Sequence, residues 1–140
     1  MMTTLKMLWV EDDFDTLKAA VLPLEKKGWS ISYAASYQDA LKLLEQNYDV
    51  FLVDLIIPQI GSNVEVDDDQ SNDTRYLGLK LIEKIRKCFG TNFPVIAFSV
   101  VHDPSVNKAL DELGVNFRFT KGTNVSNKEL CQAIESTITR

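Results

Sequence analysis

The chain has 140 residues, 45% hydrophobic and 25% charged, with a formal net charge of -5. That length suits one domain with a real core, and the composition is ordinary for a soluble globular protein. The acidic balance, with a pI of about 4.8, argues against generic nucleic-acid binding, which needs a basic face. No apolar run approaches the ~20 residues of a membrane span, and Met1 to Lys6 lack a signal-peptide core. Cys88 and Cys131 stand far apart without metal-ligand spacing, which fits reduced thiols. The expectation is a cytoplasmic protein.

In chain order, Leu5 to Val10 is an apolar first strand running into Glu11, Asp12 and Asp13. Trp9 is expected to pack between sheet and helix. Phe14, Leu17, Val21 and Leu24 then keep helical spacing, with Asp13 as N-cap and Gly28 as terminator. Pro23 inside that pattern predicts a kinked or shortened helix. Trp29 to Ala34 is a short second strand, with Ile31 and Tyr33 alternating against Ser30 and Ser32. Ser36 and Asp39 form a capping arrangement for a helix with Ala40, Leu43 and Leu44 on one side. Asn47-Tyr48-Asp49 turns the chain into Val50 to Val53, an apolar run that ends at Asp54 and is followed by Pro58. Such a run fits a strand buried on both faces of a parallel sheet.

Residues 59–76 are polar, acidic and without period, and predict an extended acidic loop. Its Asp67, Asp68, Asp69 and Asp73 lack the EF-hand spacing and its closing glutamate, so calcium is not inferred. Leu79 to Phe89 recovers a helix, with Leu81, Ile82, Ile85, Cys88 and Phe89 inward and Lys80, Glu83, Lys84, Arg86 and Lys87 outward. Gly90 closes it. Phe93 to Phe98 is a fourth strand stopping at Ser99. A helix over Pro104 to Leu113 ends at Gly114, and Val115 to Thr120 is a fifth strand followed by Lys121-Gly122. Ser126 and Glu129 have capping-box spacing at the start of the last helix, which turns Leu130, Ala133, Ile134 and Ile138 inward. His102 is read as a surface residue.

Five strands alternating with five helices predict an α/β fold: a single doubly wound five-stranded parallel sheet, order 2-1-3-4-5, helices on both faces, flavodoxin-like, spanning 1–140. Ligands of such sheets bind beyond the carboxyl ends of the strands. Those ends deliver Glu11 and Asp12, then Asp54, then Ser99, then Lys121. Taken singly, Asp54 could cap a loop, and Ser99 or Lys121 could be solvated surface; together, on four strand ends, they make a site. Converging carboxylates are best neutralised by a hard divalent ion with oxygen ligands, and Mg²⁺, which keeps several waters, suits so few protein ligands. With Lys121 as a point charge and Ser99 as a hydroxyl donor, the set can receive a phosphoryl group, with Asp54 supplying the attacking oxygen.

The chain here resembles the receiver (response-regulator, CheY-like) domains of two-component signalling. The resemblance is carried by Val10-Glu11-Asp12-Asp13, Asp54-Leu55-Ile56-Ile57-Pro58, Ser99 and Phe119-Thr120-Lys121-Gly122. It implies that Asp54 is the phosphoacceptor, that Asp12 ligates Mg²⁺ directly and Glu11 through a metal-bound water, and that the backbone carbonyl of Ile56 completes the protein ligands. It implies that Ser99 is the switch hydroxyl, Phe117 the switch aromatic, and Lys121 the partner of the acyl phosphate. The implied partners are a sensor histidine kinase or phosphotransfer protein and a downstream protein. The output surface would be the fourth helix, fifth strand and fifth helix, about 104–140, which is also the candidate homodimer contact. Self-catalysed phosphotransfer and autodephosphorylation would be the only enzymatic properties.

Three features depart from that pattern. Gly122 stands where a proline is usual after the lysine, Val100 is bulkier than the small residue common after the switch hydroxyl, and the 59–76 loop is longer than usual. That loop reads as a solvated spacer or as a docking element or second cation site. No output domain follows Arg140, so the expectation is a free-standing module acting through partners. The alternative functions are a pseudo-receiver, binding partners independently of phosphorylation, and a small phosphohydrolase. Against the latter, Leu55 and Ile56 place no second catalytic carboxylate after Asp54, and no cap domain is present.

Overall fold

The computed structural model describes residues 5–57, 76–99, 104–115, 117–120 and 127–138. The acidic loop apart from Tyr76, together with Val100, His102, Lys121, Gly122 and Ser126, lies outside the described residues. Five strands, β1 (Lys6–Val10), β2 (Ser30–Ala34), β3 (Val50–Val53), β4 (Val95–Ser99) and β5 (Phe117–Thr120), form one parallel sheet in the order β2-β1-β3-β4-β5. This is the doubly wound topology that the alternating pattern predicts.

The first helical layer, α1, is a composite. It is α-helical over Phe14–Leu17, tightens to a 3₁₀ turn over Lys18–Val21, and resumes as α-helix over Leu22–Lys26. Pro23 explains the break: it cannot donate into the preceding turn, so it sits in the first turn of the resumed helix, where no donor is needed. Asp13 occupies the N-cap position, but its side chain makes no capping bond; its backbone N–H instead donates to Glu11 Oε2 at 3.2 Å. The expected capping at Ser36 is realised, its hydroxyl accepting from the Asp39 N–H at 3.1 Å at the head of α2 (Tyr37–Leu43). The remaining helices are α3 (Leu77–Phe89), α4 (Pro104–Glu112) and α5 (Asn127–Ile138).

Strand alternation sorts the core into two faces. Leu8, Val10, Phe51, Val53, Val95 and Ala97 point toward α2, α3 and α4, and meet Ala40, Leu81, Ile82, Ile85, Val106 and Leu110. Met7, Trp9, Val50, Leu52, Ile96 and Phe98 point the other way, against Val21 and Leu24 of α1 and Leu130, Cys131 and Ile134 of α5. Trp9 is fully buried in this second layer, as expected. Register is pinned where β1 and β3 begin: the Lys6 N–H donates to Asp49 Oδ2 at 2.8 Å, and the Asp49 N–H returns to the Lys6 carbonyl at 2.7 Å.

Helix α3 corrects two assignments. Arg86, expected outward, is buried, and Cys88, expected inward, is exposed. Both flank the apolar stripe of Leu81, Ile82 and Ile85. The Arg86 flank is covered by the turn at Leu113 and Gly114, whose carbonyls accept from its guanidinium. Helical period alone places both residues at the margin, and tertiary cover decides between them.

Candidate functional site

The carboxyl edge of the sheet is built by two backbone bonds that continue the ladders beyond the strands. The Glu11 N–H donates to the Ala34 carbonyl and the Asp54 N–H to the Val10 carbonyl, each at 2.9 Å. They hold the residues after β1 beside the residue after β3. One carboxylate oxygen each from Glu11, Asp12 and Asp54 lies within 4.8 Å of the others. Glu11 is fully buried, Asp54 is 4% exposed, and Asp12 faces solvent.

Two buried unit charges at this spacing repel by about 3 kcal/mol even at an effective dielectric of about 20. A cation between them converts that repulsion into attraction, and an all-oxygen donor set suits a hard divalent ion that keeps several waters. The residues fit such an ion: two carboxylates are held by backbone, and the third faces the solvent from which ion and waters arrive.

Asp54 is oriented as well as buried. Its Oδ1 accepts from the Ile56 N–H at 3.0 Å, in the turn that leaves β3. Ile56, expected to offer its carbonyl to a metal, thus also aims the carboxylate through its amide, while its side chain is exposed beside the site. Behind Asp54 stands Gly78, which pattern reading passed over. The Gly78 N–H donates to the Leu55 carbonyl at 3.0 Å. A β-carbon at Gly78 would lie 2.2 Å from the Asp54 carbonyl oxygen and 2.4 Å from Leu55 Cα, so only glycine permits the first turn of α3 to press on this turn. The signal was the Leu77-Gly78-Leu79 triplet, a glycine inside an apolar start.

The other candidates are placed less completely. Ser99 is the last residue of β4, its backbone in register with Thr120 at the end of β5. Lys121, the next residue, lies outside the described ones. Phe117 is not brought to the carboxylates. It begins β5, in register with Ile96 and so level with Leu52, two residues before Asp54 and two strands away, and is 37% exposed. Arg118, in register with Ala97, is on the face toward α4, where its guanidinium bonds Asp111 and the Val115 carbonyl. Away from this edge, burial and then the Glu25 carboxylate, which accepts the Tyr33 hydroxyl at 3.0 Å, push the Tyr33 phenol up to about 12.

No family model matches the chain, and no curated protein matches it. Solved structures do. A CheY-like response regulator receiver domain protein from Methanospirillum hungatei JF-1 superposes with a TM-score of 0.75 at 20% identity, over 97% of this chain and 94% of that one. The non-phosphorylated HemR receiver domain from Leptospira biflexa gives 0.75 at 21% identity, over 98% and 96%. The Francisella response regulator 1452 receiver domain gives 0.72 at 23% identity, over 98% of each. The fold is therefore that of the CheY-like receiver domains, matched over nearly the whole length of both partners.

Proposed function

We propose that the chain is a phospho-accepting receiver domain of two-component signalling, spanning 1–140, with Asp54 as the acceptor. The observation that carries this reading is the convergence of Glu11, Asp12 and Asp54 at the carboxyl edge of a receiver fold. A carboxylate oxygen of Asp54 attacks the phosphorus of a phosphohistidine on a sensor kinase or phosphotransfer protein. The P–N bond breaks, the imidazole leaves and takes up a proton, and a mixed anhydride forms on Asp54. Water later cleaves it, returning the carboxylate and inorganic phosphate.

Each neighbour then has a role. Asp12, Glu11 through a bound water, Asp54 and the Ile56 carbonyl would hold Mg²⁺, which supplies charge neutralisation on the phosphoryl oxygens. The Ile56 N–H keeps the acceptor carboxylate aimed, and burial of Glu11 and Asp54 strengthens every charge interaction there. Lys121 pairs with the acyl phosphate and Ser99 donates to it.

Phosphorylation adds about -1.5 to -2 charge. The pull on Ser99 and Lys121 acts on the β4–β5 pair at Ser99 and Thr120. Phe117, at the start of β5, is the proposed switch aromatic, and Arg118 beside it already joins β5 to Asp111 of α4. The α4–β5–α5 surface is the part re-shaped for a downstream protein, and it is the candidate contact for a homodimer. No helix among the described residues is long and apolar enough to cross a membrane.

The test is intact mass after incubation with Mg²⁺ and acetyl phosphate. Wild type gains a labile phosphate, and Asp54→Ala or EDTA abolishes it. A wild type that never labels, including with beryllofluoride or a cognate kinase, makes the chain a phosphorylation-independent interaction module. Rapid, continuous turnover of a small phosphomonoester would make it a hydrolase.

A further inference from the structure

A cleft of about 290 Å³ lies at the amino edge of the sheet, opposite the carboxylates. It is walled by the residues leading into β4, by the start of β5, and by the last turn of α5. Arg86, only 9% exposed, lines it. The guanidinium donates from Nε to the Leu113 carbonyl at 2.7 Å, from Nη1 to the carbonyls of Gly90 and Phe93, and from Nη2 to the Gly114 carbonyl at 3.2 Å. Four of the five N–H groups are thereby engaged, all by neutral carbonyls, and one on Nη2 is left. Among the described residues no carboxylate pairs with this charge. A buried cation satisfied in hydrogen bonds but not in charge favours an anion beside it. Burial also lowers the guanidinium pKa, a cost that an anion would offset.

Gly114 lines the cleft together with Arg86. Gly114, at φ +74°, carries no side chain; a β-carbon there would stand 3.9 Å from Nη2 and 3.4 Å from the Thr91 carbonyl. The opposite wall has the reverse polarity. Ser136 and Thr137 donate their hydroxyls to the Ala133 and Ile134 carbonyls at 2.8 and 2.7 Å, so what they have left to offer a ligand is lone pairs, not protons. A sulfate, with acceptor oxygens on every side, meets those lone pairs unfavourably. A molecule with a carboxylate at one end and a hydroxyl or ammonium donor at the other matches both walls.

We propose that this cleft binds a small hydroxy- or amino-carboxylate, its carboxylate on Arg86 Nη2 and its donor end on Ser136 and Thr137. The site is independent of the chemistry at Asp54 and uses none of its residues. The test is a ¹H–¹⁵N NMR titration of the whole chain with L-lactate and with L-serine at constant ionic strength. Saturable shifts are expected at the Thr91 and Gly114 amides and the Arg86 Nε–H. Ser136→Ala and Thr137→Val remove the accepting hydroxyls and leave the Arg86 tie in place; each should weaken binding roughly tenfold, the scale of one lost hydrogen bond. Three results overturn the proposal: no saturable shift with either probe, equal shifts with sulfate, or binding unchanged in both variants.

Discussion

At the carboxyl edge, Glu11, Asp12 and Asp54 crowd three negative charges within 4.8 Å, two of them buried. At the amino edge of the same sheet, Arg86 buries one positive charge among four carbonyls. The two edges resolve their burial differently. Carbonyls solvate Arg86 and knit α3, the α4 terminus and the start of β4 together, so this charge also holds the fold. The carboxylates are held in place by backbone, and their mutual repulsion works against the fold unless a cation enters. Removing a charge should therefore damage function at one edge and stability at the other.

The largest expected effect is at the carboxyl edge. Asp54→Asn should abolish phosphate incorporation while raising the denaturation midpoint in metal-free buffer, because one repelling charge is gone; a lowered midpoint would show that the cluster is not under repulsion. At the amino edge, Arg86→Met should cost about 3 kcal/mol by stranding buried carbonyls. Urea unfolding reads this directly, and labelling of the folded fraction at Asp54 should be unchanged. Gly78→Ala comes next. The added methyl meets the Asp54 and Leu55 backbone, and overpacking of this kind costs about 2 kcal/mol. Unlike Arg86→Met, it should also slow labelling, since the displaced turn carries the acceptor.

The smallest effect lies at neither edge and serves as a control. Tyr33 has its pKa raised from 10.0 to about 12 by burial and by Glu25. The unfolded phenol ionises first, so the folded chain holds the extra proton between the two values. The contribution is complete below pH 10 and is lost as pH rises toward 12. Tyr33→Phe should flatten the fall in stability over that window, with labelling at neutral pH unaltered.

The carboxyl edge was largely legible in the sequence because its residues follow strand ends, and strand ends are marked by where apolar runs stop. Val10 before Glu11 and Val53 before Asp54 give the edge, and parallel topology brings them together. Pro23 and Ser36 likewise announce local structure through their own backbone chemistry. The amino edge was not legible. Arg86 sits at the margin of a helical stripe, where the period does not say which flank is covered, and its acceptors come from residues as far on as Gly114. Gly78 acts through an approach of two backbones distant in the chain; the Leu77-Gly78-Leu79 triplet marks the glycine but not the backbone it meets.

Asp54 as the covalent acceptor is tested most directly by locating the phosphate. After labelling with acetyl phosphate and Mg²⁺, borohydride reduces an acyl phosphate to the alcohol, which converts the modified aspartate to homoserine, and peptide mass mapping finds the position. Homoserine is expected at position 54 alone. Homoserine at position 12, the corresponding reduction at Glu11, or a phosphate that survives borohydride on a hydroxyl or imidazole would contradict it.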